Sequence, residues 1–228
     1  MMEFLFLDLD DTILDFHKAE RIALAKTLES FDVVPDDEVL ARYHVINLQH
    51  WERLETGELT RDQVQEGRFR VLFQELGRTV DPVQVTRTYE RNLGIGHYFL
   101  PGAEEAVQSL HKRYRLFLAS NGTASVQHSR LTSAGLYPYF EKVFVSQEIG
   151  YNKPARDYFE ACFRQIPDFC PERAIMVGDS LTSDILGGIN AGIRTCWVNP
   201  AHAPARANIQ PDYEIENLSQ LAEVLKTL

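Results

Sequence analysis

The sequence predicts an α/β fold in which a parallel sheet carries helices on both faces and a helical segment is inserted after the first strand. Residues 4–9 form a short apolar run that ends in acidic residues, which is typical of a buried strand. Residues 18–93 show helical spacing, and beyond residue 101 short apolar runs alternate with helical segments. Strands separated by helices of this length form βαβ units, which build parallel sheets.

The insertion is expected to contain about four helices, because apolar residues recur every three or four positions along it. Turn-forming residues separate these helices near residues 35–36, at residues 56–57 and around residues 77–82. Thr60 is expected to cap the helix that follows the second break, since its hydroxyl can accept a hydrogen bond from a backbone N–H of the first turn.

Strands and helices alternate over the rest of the chain. Strands are predicted at residues 114–119, 143–146, 174–177, 195–198 and 212–215. Helices are predicted at residues 103–112, 124–134, 154–165, 183–191 and 218–225. The economical architecture is a Rossmann-like α/β core of residues 1–15 and 96–228, with a helical domain of residues 16–95 inserted after the first strand.

The composition is that of a folded, acidic protein. Hydrophobic residues make up 44% of the 228 residues, enough for a sizeable core, and the formal net charge is -10. This charge repels nucleic-acid polymers and anionic membranes, so neither is expected as a partner. No apolar stretch approaches the ~20 residues needed to span a bilayer, and Glu3 stands where a signal peptide would be positive. A cytoplasmic location is expected, with the three cysteines as buried thiols; no feature indicates an oligomeric state.

Polar side chains lie at or soon after the ends of four predicted strands of the core. In chain order they are Asp8, Asp10, Asp11 and Thr12, then Ser120 and Asn121, which Gly122 follows, then Lys153, and finally Asp179, Ser180 and Asp184. The carboxyl ends of parallel strands form one ligand-binding edge, so we expect these residues to converge. An ordinary turn, cap or solvated loop would explain each of these groups alone. It would not explain why all four groups occur in order at successive strand ends.

The acidic residues of this set predict a magnesium site. Side chains two apart in a strand point to the same side, so Asp8 and Asp10 would flank one ligand. Together with Asp179 and Asp184 they form an oxygen-rich group suited to Mg²⁺. Histidine is absent from all these segments, which argues against zinc.

The remaining residues of the set predict an anion site. Lys153 supplies a positive charge and Ser120 a hydroxyl, while the backbone N–H groups of Asn121 and Gly122 lie at a predicted helix N-terminus. Carboxylates, a hard metal ion, a lysine and a hydroxyl together fit phosphoryl transfer, whose transition state is stabilised mainly by positioning and charge.

Four motifs resemble, in the same order, those of the haloacid dehalogenase-like hydrolase superfamily. They are DLDDTI at 8–13, ASNG at 119–122, Lys153-Pro154 and GDSLTSD at 178–184. The resemblance spans the whole α/β core. It implies that the helical insertion at residues 16–95 is a cap domain that closes over the site and selects the substrate.

The resemblance implies a role for each motif residue. Asp8 would be the nucleophile that forms an aspartyl-phosphate, and Asp10 would protonate the leaving oxygen and then activate water. Ser120 and Lys153 would hold the phosphoryl group, so replacing Lys153 by methionine is expected to impair turnover more than folding. Thr12 would support the loop and, with Asn121 and Gly122, contact the substrate. Mg²⁺ would be bound by the Asp8 carboxylate, the Asp10 main-chain carbonyl, Asp179 and, directly or through water, Asp184.

The resemblance also bears on the substrate. Dehalogenase relatives do not use an acid at the position of Asp10, which favours a phosphatase acting on a small phosphorylated metabolite. The insertion and residues 187–192 and 195–199 resemble bacterial nucleotidases that act on pyrimidine 5'-monophosphates. Sugar-phosphate phosphatases, phosphomutases and phosphonate-cleaving relatives stay as alternatives, as does a relative that binds phosphate without turnover. A receiver-like signalling domain is disfavoured because it lacks a helical insertion.

Candidates for base and sugar recognition lie mainly in the insertion. Asn47 and Trp51 are at i and i+4 on one helical face, where they could contact a substrate together. A tryptophan at helical spacing is more often part of a core, and that alternative stays open. Further candidates are Phe16, His17, Arg68 and Phe69.

Overall fold

The computed structural model describes residues 2–228, which divide into two compact units. One, here called the core unit, contains the residues up to Phe16 together with His97–Leu228. The other, the helical unit, is His17–Gly96. The domain boundaries expected from the sequence lie one residue earlier at each junction.

Within the described residues, the core unit contains a six-stranded sheet whose neighbouring strands are all parallel. The strands are β1 (Phe4–Leu7), β2 (Arg115–Ser120), β3 (Lys142–Val145), β4 (Ala174–Gly178), β5 (Arg194–Val198) and β6 (Tyr213–Ile215). Their order is β3-β2-β1-β4-β5-β6, so the sheet grows first to one side of β1 and then to the other. This arrangement confirms the predicted Rossmann-like α/β class.

The helical unit is formed by four helices in the described part of the chain. They are α1 (Phe16–Glu29), α2 (Asp37–Glu55), α3 (Arg61–Glu75) and α4 (Pro82–Leu93). Thr60 caps α3 as predicted, and Gln63 completes a capping box by accepting a hydrogen bond from the Thr60 N–H. Helices α2 and α4 begin after Asp36 and Asp81, whose carboxylates accept backbone hydrogen bonds in the same way.

Three aromatic residues form the centre of the helical unit. Tyr43 of α2, Phe69 of α3 and Tyr89 of α4 are fully buried, and their ring centroids lie 5.2 to 5.7 Å apart. Such offset and edge-to-face contacts stabilise a core beyond the area that they bury. Phe69, a candidate for substrate recognition from the sequence, is therefore part of this aromatic core.

The helices of the core unit begin with α5 (Ala103–Leu110) and α6 (Ala124–Ser133). The others are α7 (Ser146–Ile149), α8 (Arg156–Phe163), α9 (Leu186–Ala191) and α10 (Leu221–Lys226). The short helix α7 was not expected from the sequence. The helix predicted at residues 183–191 is a π-helical turn, Leu181–Ile185, followed by α9. The Asp184 carboxylate accepts a hydrogen bond from the Ser180 N–H at 3.1 Å, and this side-chain contact accompanies the wider turn.

Strand β1 is central and buried on both faces because helices cover both sides of the sheet. Leu5 and Leu7 pack in one apolar cluster with residues of α5, α6 and α10, whereas Phe4 and Phe6 pack in another with residues of α8. Alternate side chains of a strand point to opposite faces, so the four residues of β1 contribute alternately to the two clusters.

The strand register determines which loops meet at the carboxyl edge of the sheet. Leu7, the last residue of β1, pairs with Leu118 of β2 on one side and with Val177 of β4 on the other. Asp8 therefore leaves the sheet between the ends of these two strands. No helix in the described residues has the length and apolar character needed to cross a membrane.

Candidate active site

Residues from four predicted strand-end segments converge at the carboxyl edge of the core sheet. Asp8 follows β1, Ser120 ends β2, Asp179 follows β4, and Lys153 lies in the loop between α7 and α8. The Nζ atom of Lys153 lies 2.7 Å from Asp8 Oδ1 and 2.6 Å from Asp184 Oδ1. The convergence expected from the parallel sheet is therefore present for these residues.

Three carboxylates form a compact cluster at this edge. Asp8, Asp179 and Asp184 each place an oxygen within 4.8 Å of the others. Burial raises the pKa of the Asp8 carboxyl to about 8, and the charges of Asp184 and Asp10 act in the same direction. Burial and the neighbouring Asp184 likewise hold the pKa of Asp179 well above its usual range. Each carboxylate therefore favours a cation beside it.

Lys153 supplies part of the positive charge that this cluster requires. Its ammonium group is 2% exposed and also donates to the Ala119 carbonyl at 2.7 Å. Burial alone would lower the pKa of Lys153, but Asp184 and Asp8 outweigh it and raise that pKa above its ordinary value. One lysine does not balance three carboxylates, so the cluster suits a hard divalent cation with oxygen ligands, the chemistry of Mg²⁺.

The carboxylate of Asp10 lies outside the cluster of three and pairs with two side chains of α6. Its Oδ2 accepts a hydrogen bond from Gln127 Nε2 at 2.7 Å, and its Oδ1 contacts the guanidinium of Arg130. Gln127 Nε2 also lies 2.7 Å from the Ser120 hydroxyl oxygen. The Gln127 amide therefore links the proposed acid–base residue to the hydroxyl proposed to hold the phosphoryl group.

Gln127 and Arg130 are site residues that the sequence analysis missed. Both are buried and lie three positions apart on α6, so they share one helical face. Two polar residues at this spacing, shortly after Ser120, are the signal that was available in the sequence. In the sequence alone, this spacing is equally typical of a solvent-exposed helix face. The burial of both side chains in the structure is what distinguishes a site residue from an exposed one.

Asn121 and Gly122 shape the loop after β2. The Asn121 amide donates to the Lys153 carbonyl at 2.9 Å and accepts from the Lys153 N–H at 2.8 Å, so it joins this loop to the loop that carries the lysine. The Gly122 N–H donates to the Ser120 hydroxyl at 3.1 Å. A Cβ atom at Gly122 would lie 2.4 Å from Gln127 Nε2, so a side chain there would displace the amide.

Thr12 lies in the loop between β1 and α1 and is buried. Its hydroxyl makes no hydrogen bond with the described residues. Phe16 closes the loop through its N–H, which donates to Asp11 Oδ1 at 2.9 Å, and its ring lies 5.8 Å from the Arg130 guanidinium carbon. The proposed contact of Thr12 with substrate stays a prediction.

Asn47 and Trp51 lie together in the helical unit, within a buried hydrogen-bond network. The Asn47 carbonyl oxygen accepts from Arg68 Nη1 at 2.8 Å and from Trp51 Nε1 at 3.1 Å. Its amide nitrogen donates to Glu20 Oε1 at 2.6 Å. Three of the four hydrogen-bonding positions of the Asn47 amide are therefore occupied inside the helical unit. The Trp51 side chain is half-buried. A role for either residue in substrate recognition stays a prediction.

The fold and the edge cluster are those of a hydrolase of the haloacid dehalogenase-like type, and the comparison with known families agrees. The haloacid dehalogenase-like hydrolase family matches residues 2–192, and the chain belongs to this family.

Individual relatives extend the similarity over nearly the whole chain. Among solved structures, the magnesium-bound crystal structure of the HAD-hydrolase YfnB from Bacillus subtilis has a TM-score of 0.94 and 39% identity, covering 98% of each chain. Pyrimidine 5'-nucleotidase PynA of Streptococcus pneumoniae is 37% identical, over 98% of this chain and 94% of the relative. Pyrimidine 5'-nucleotidase YjjG of Escherichia coli is 30% identical, over 98% and 97% respectively.

Proposed function

We propose that this protein is a Mg²⁺-dependent phosphatase that hydrolyses small phosphomonoesters, with pyrimidine nucleoside 5'-monophosphates as its substrates. The observation that carries the proposal is the Asp8 carboxylate at the end of β1, held by Lys153 at 2.7 Å inside a cluster of three carboxylates. The names of PynA and YjjG support the nucleotide as the substrate class.

The first half of the proposed reaction transfers the phosphoryl group to Asp8. Lys153 holds Oδ1 of Asp8, so the second carboxylate oxygen attacks phosphorus. A bond forms between this oxygen and phosphorus while the bond from phosphorus to the ester oxygen breaks. Asp10, protonated from solvent or by the hydrolytic water of the preceding turnover, donates this proton to the departing alkoxide, which leaves as the nucleoside. Ser120 donates a hydrogen bond to the transferred group.

The second half releases phosphate. Asp10, now ionised, removes a proton from a water molecule whose oxygen attacks the phosphorus of the aspartyl-phosphate. The acyl oxygen–phosphorus bond breaks and Asp8 is restored as a carboxylate. Gln127 and Arg130 orient the Asp10 carboxylate for both proton transfers, since they contact its two oxygens.

The residues that would hold Mg²⁺ are Asp8, Asp179, Asp184 and the main-chain carbonyl of Asp10. When bound, Mg²⁺ supplies positive charge that balances the carboxylate cluster and the phosphoryl oxygens. The fit rests on the raised pKa values of Asp8 and Asp179, which reflect carboxylates crowded together and removed from water. With a net charge of -10, Mg²⁺, Lys153 and helix N-termini would supply the local attraction for an anionic substrate.

The test is release of inorganic phosphate from nucleoside 5'-monophosphates and sugar phosphates, with Mg²⁺ or with excess chelator. We expect release from dUMP, UMP or dTMP that the chelator abolishes and Mg²⁺ restores. Asp8→Asn should lower release by at least about 1,000-fold, because it removes the nucleophile. Asp157→Asn, at an exposed aspartate in the first turn of α8, is the matched control and should leave release unchanged.

Other outcomes would change the proposal in defined ways. Release from sugar phosphates alone would retain the phosphatase chemistry and reject the nucleotide. Release that persists undiminished in excess chelator would reject the metal. No release from any substrate, by a folded protein, would favour a relative that binds phosphate without turnover.

A further inference from the structure

The helical unit contains a second cluster of metal-ligating side chains. His17 and Glu20 lie three positions apart on α1, and His44 lies on α2. One nitrogen from each imidazole and one oxygen of Glu20 lie within 4.8 Å of one another. The proposed magnesium site is assembled from acidic residues of the core unit, so this cluster has a different chemical character.

Glu20 carries the cluster's charge in a buried position. Its side chain is 5% exposed, and its Oε2 lies 2.8 Å from His44 Nδ1. A buried carboxylate requires a partner that is either positively charged or a metal ion, because desolvation strongly disfavours an isolated charge. Neutral His44 can donate one hydrogen bond but provides no charge.

The other oxygen of Glu20 is held by an outer layer of hydrogen bonds. Asn47 Nδ2 donates to Oε1 at 2.6 Å, and the carbonyl oxygen of the same amide accepts from Arg68 and Trp51. Outer partners of this kind orient metal ligands and are typical of metal sites. They keep Oε1 engaged within the unit and leave Oε2 directed toward His44.

We infer that His17, Glu20 and His44 bind a borderline transition-metal ion of the Zn²⁺ class. Two imidazole nitrogens and one carboxylate oxygen suit Zn²⁺, and water or another small ligand can complete the coordination. Ligands that lie 2.0–2.1 Å from a tetrahedral ion are about 3.3 Å apart. The 2.8 Å separation between His44 and Glu20 needs to open by only about half an ångström to reach this value.

The side chains can make this adjustment. The His17 residue is exposed and the His44 side chain is 41% exposed, so both side chains border solvent, which leaves room for a small adjustment. Their centroids are 4.9 Å apart with an interplanar angle of 59°, so the rings are not stacked face to face. The bound ion would join α1 to α2 in addition to their side-chain packing.

The test is a titration of the intact, metal-stripped protein with Co²⁺ as a spectroscopic probe, in excess Mg²⁺ to fill the acidic site. Nitrogen-rich sites of low coordination number give Co²⁺ intense visible absorption, whereas six oxygen ligands give weak absorption. We expect one intensely absorbing ion per chain, displaced by Zn²⁺. His17→Ala and His44→Ala should weaken its binding by more than about 100-fold, beyond the effect of losing an outer partner.

The matched control is His50→Ala. His50 lies on the same helix as His44, but its Nδ1 contacts the Ile46 carbonyl at 2.7 Å and it does not belong to the cluster. This variant should bind Co²⁺ like the wild type. Zn²⁺ should also raise the melting temperature of the wild type and not that of His17→Ala. Because His17 is exposed, misfolding of this variant would not explain the missing increase.

Two results would overturn the inference. One is wild-type protein that shows only weak octahedral absorption, which would leave Glu20 and His44 as an ion pair without metal. The other is equal Co²⁺ affinity in wild type and His17→Ala. Neither readout depends on phosphate release, so failure of the proposed phosphatase activity would not decide the outcome.

Discussion

Replacing Lys153 by methionine tests whether this lysine neutralises the carboxylate cluster. Its ammonium group lies within 2.7 Å of oxygens of Asp8 and Asp184. The methionine side chain has a volume similar to that of lysine but no positive charge, so the two buried carboxylates lose the cation beside them. Breaking a buried ion pair by removing one partner costs about 3–5 kcal/mol, and we expect a loss of that order in the metal-free protein at about pH 9.5, where Asp8 is ionised in wild type. The sequence alone predicted damage mainly to turnover.

The size of this loss should depend on pH. Burial raises the pKa of Asp8 in the folded protein to about 8, far above that of an unfolded chain, and removing Lys153 raises it further. Over this range the folded state binds more protons than the unfolded state, so stability falls as pH rises. Protonated carboxyls need no cation. Below pH 8 Asp8 is largely protonated in both proteins, so the deficit of the variant relative to wild type should grow above pH 8 and be smaller at pH 5 than at about pH 9.5.

Urea unfolding followed by circular dichroism, in excess chelator at both pH values, measures the deficit. Lys142→Met is the matched control, because Lys142 is exposed at the start of β3 and its Nζ lies 3.4 Å from Gln165 Oε1. The control should change the free energy of unfolding by no more than about 0.5 kcal/mol. Exposed ion pairs contribute up to about 1 kcal/mol, so a deficit below that value for Lys153→Met at about pH 9.5 would refute the reasoning. A deficit at pH 5 equal to that at about pH 9.5 would also refute it.

Three further predictions concern other contacts. Gln127→Leu should lower kcat about 10- to 100-fold in the phosphate-release assay, because it removes a hydrogen bond from Asp10; an unchanged kcat would contradict this positioning role. Cys170 should be the first thiol to react with a disulfide reagent in the native protein, since the other two cysteines are buried. Glu172→Gln should accelerate the reaction of Cys170, because the contact with Glu172 raises the pKa of this thiol. Equal reaction rates of Cys170 in the wild type and in Glu172→Gln would contradict this effect of Glu172. Thr60→Ala should reduce stability by about 1 kcal/mol in urea unfolding through loss of the α3 cap, and an unaltered midpoint would show that the cap is dispensable.

The local elements of the fold were predictable because their causes lie within a few residues. The run at Phe4–Leu7 is apolar at every position, so it indicated a strand buried on both faces before its neighbours were known. Thr60 and Gln63 form their capping box within a single turn. The length of the helix after β4 was less predictable, because the Asp184 carboxylate reaches back to the Ser180 N–H and accompanies a π-helical turn.

The α/β class, the helical insertion and the convergence of Asp8, Ser120 and Lys153 could all be predicted from the sequence. The physical reason is that the carboxyl ends of parallel strands share one edge of a sheet, whatever the details of packing. The side chains that contact the site residues became known only from the folded structure. Gln127 contacts Asp10 across 117 positions, and Glu20 meets His44 only because α1 packs against α2. Such contacts depend on side-chain burial and helix packing, which periodicity and spacing do not encode.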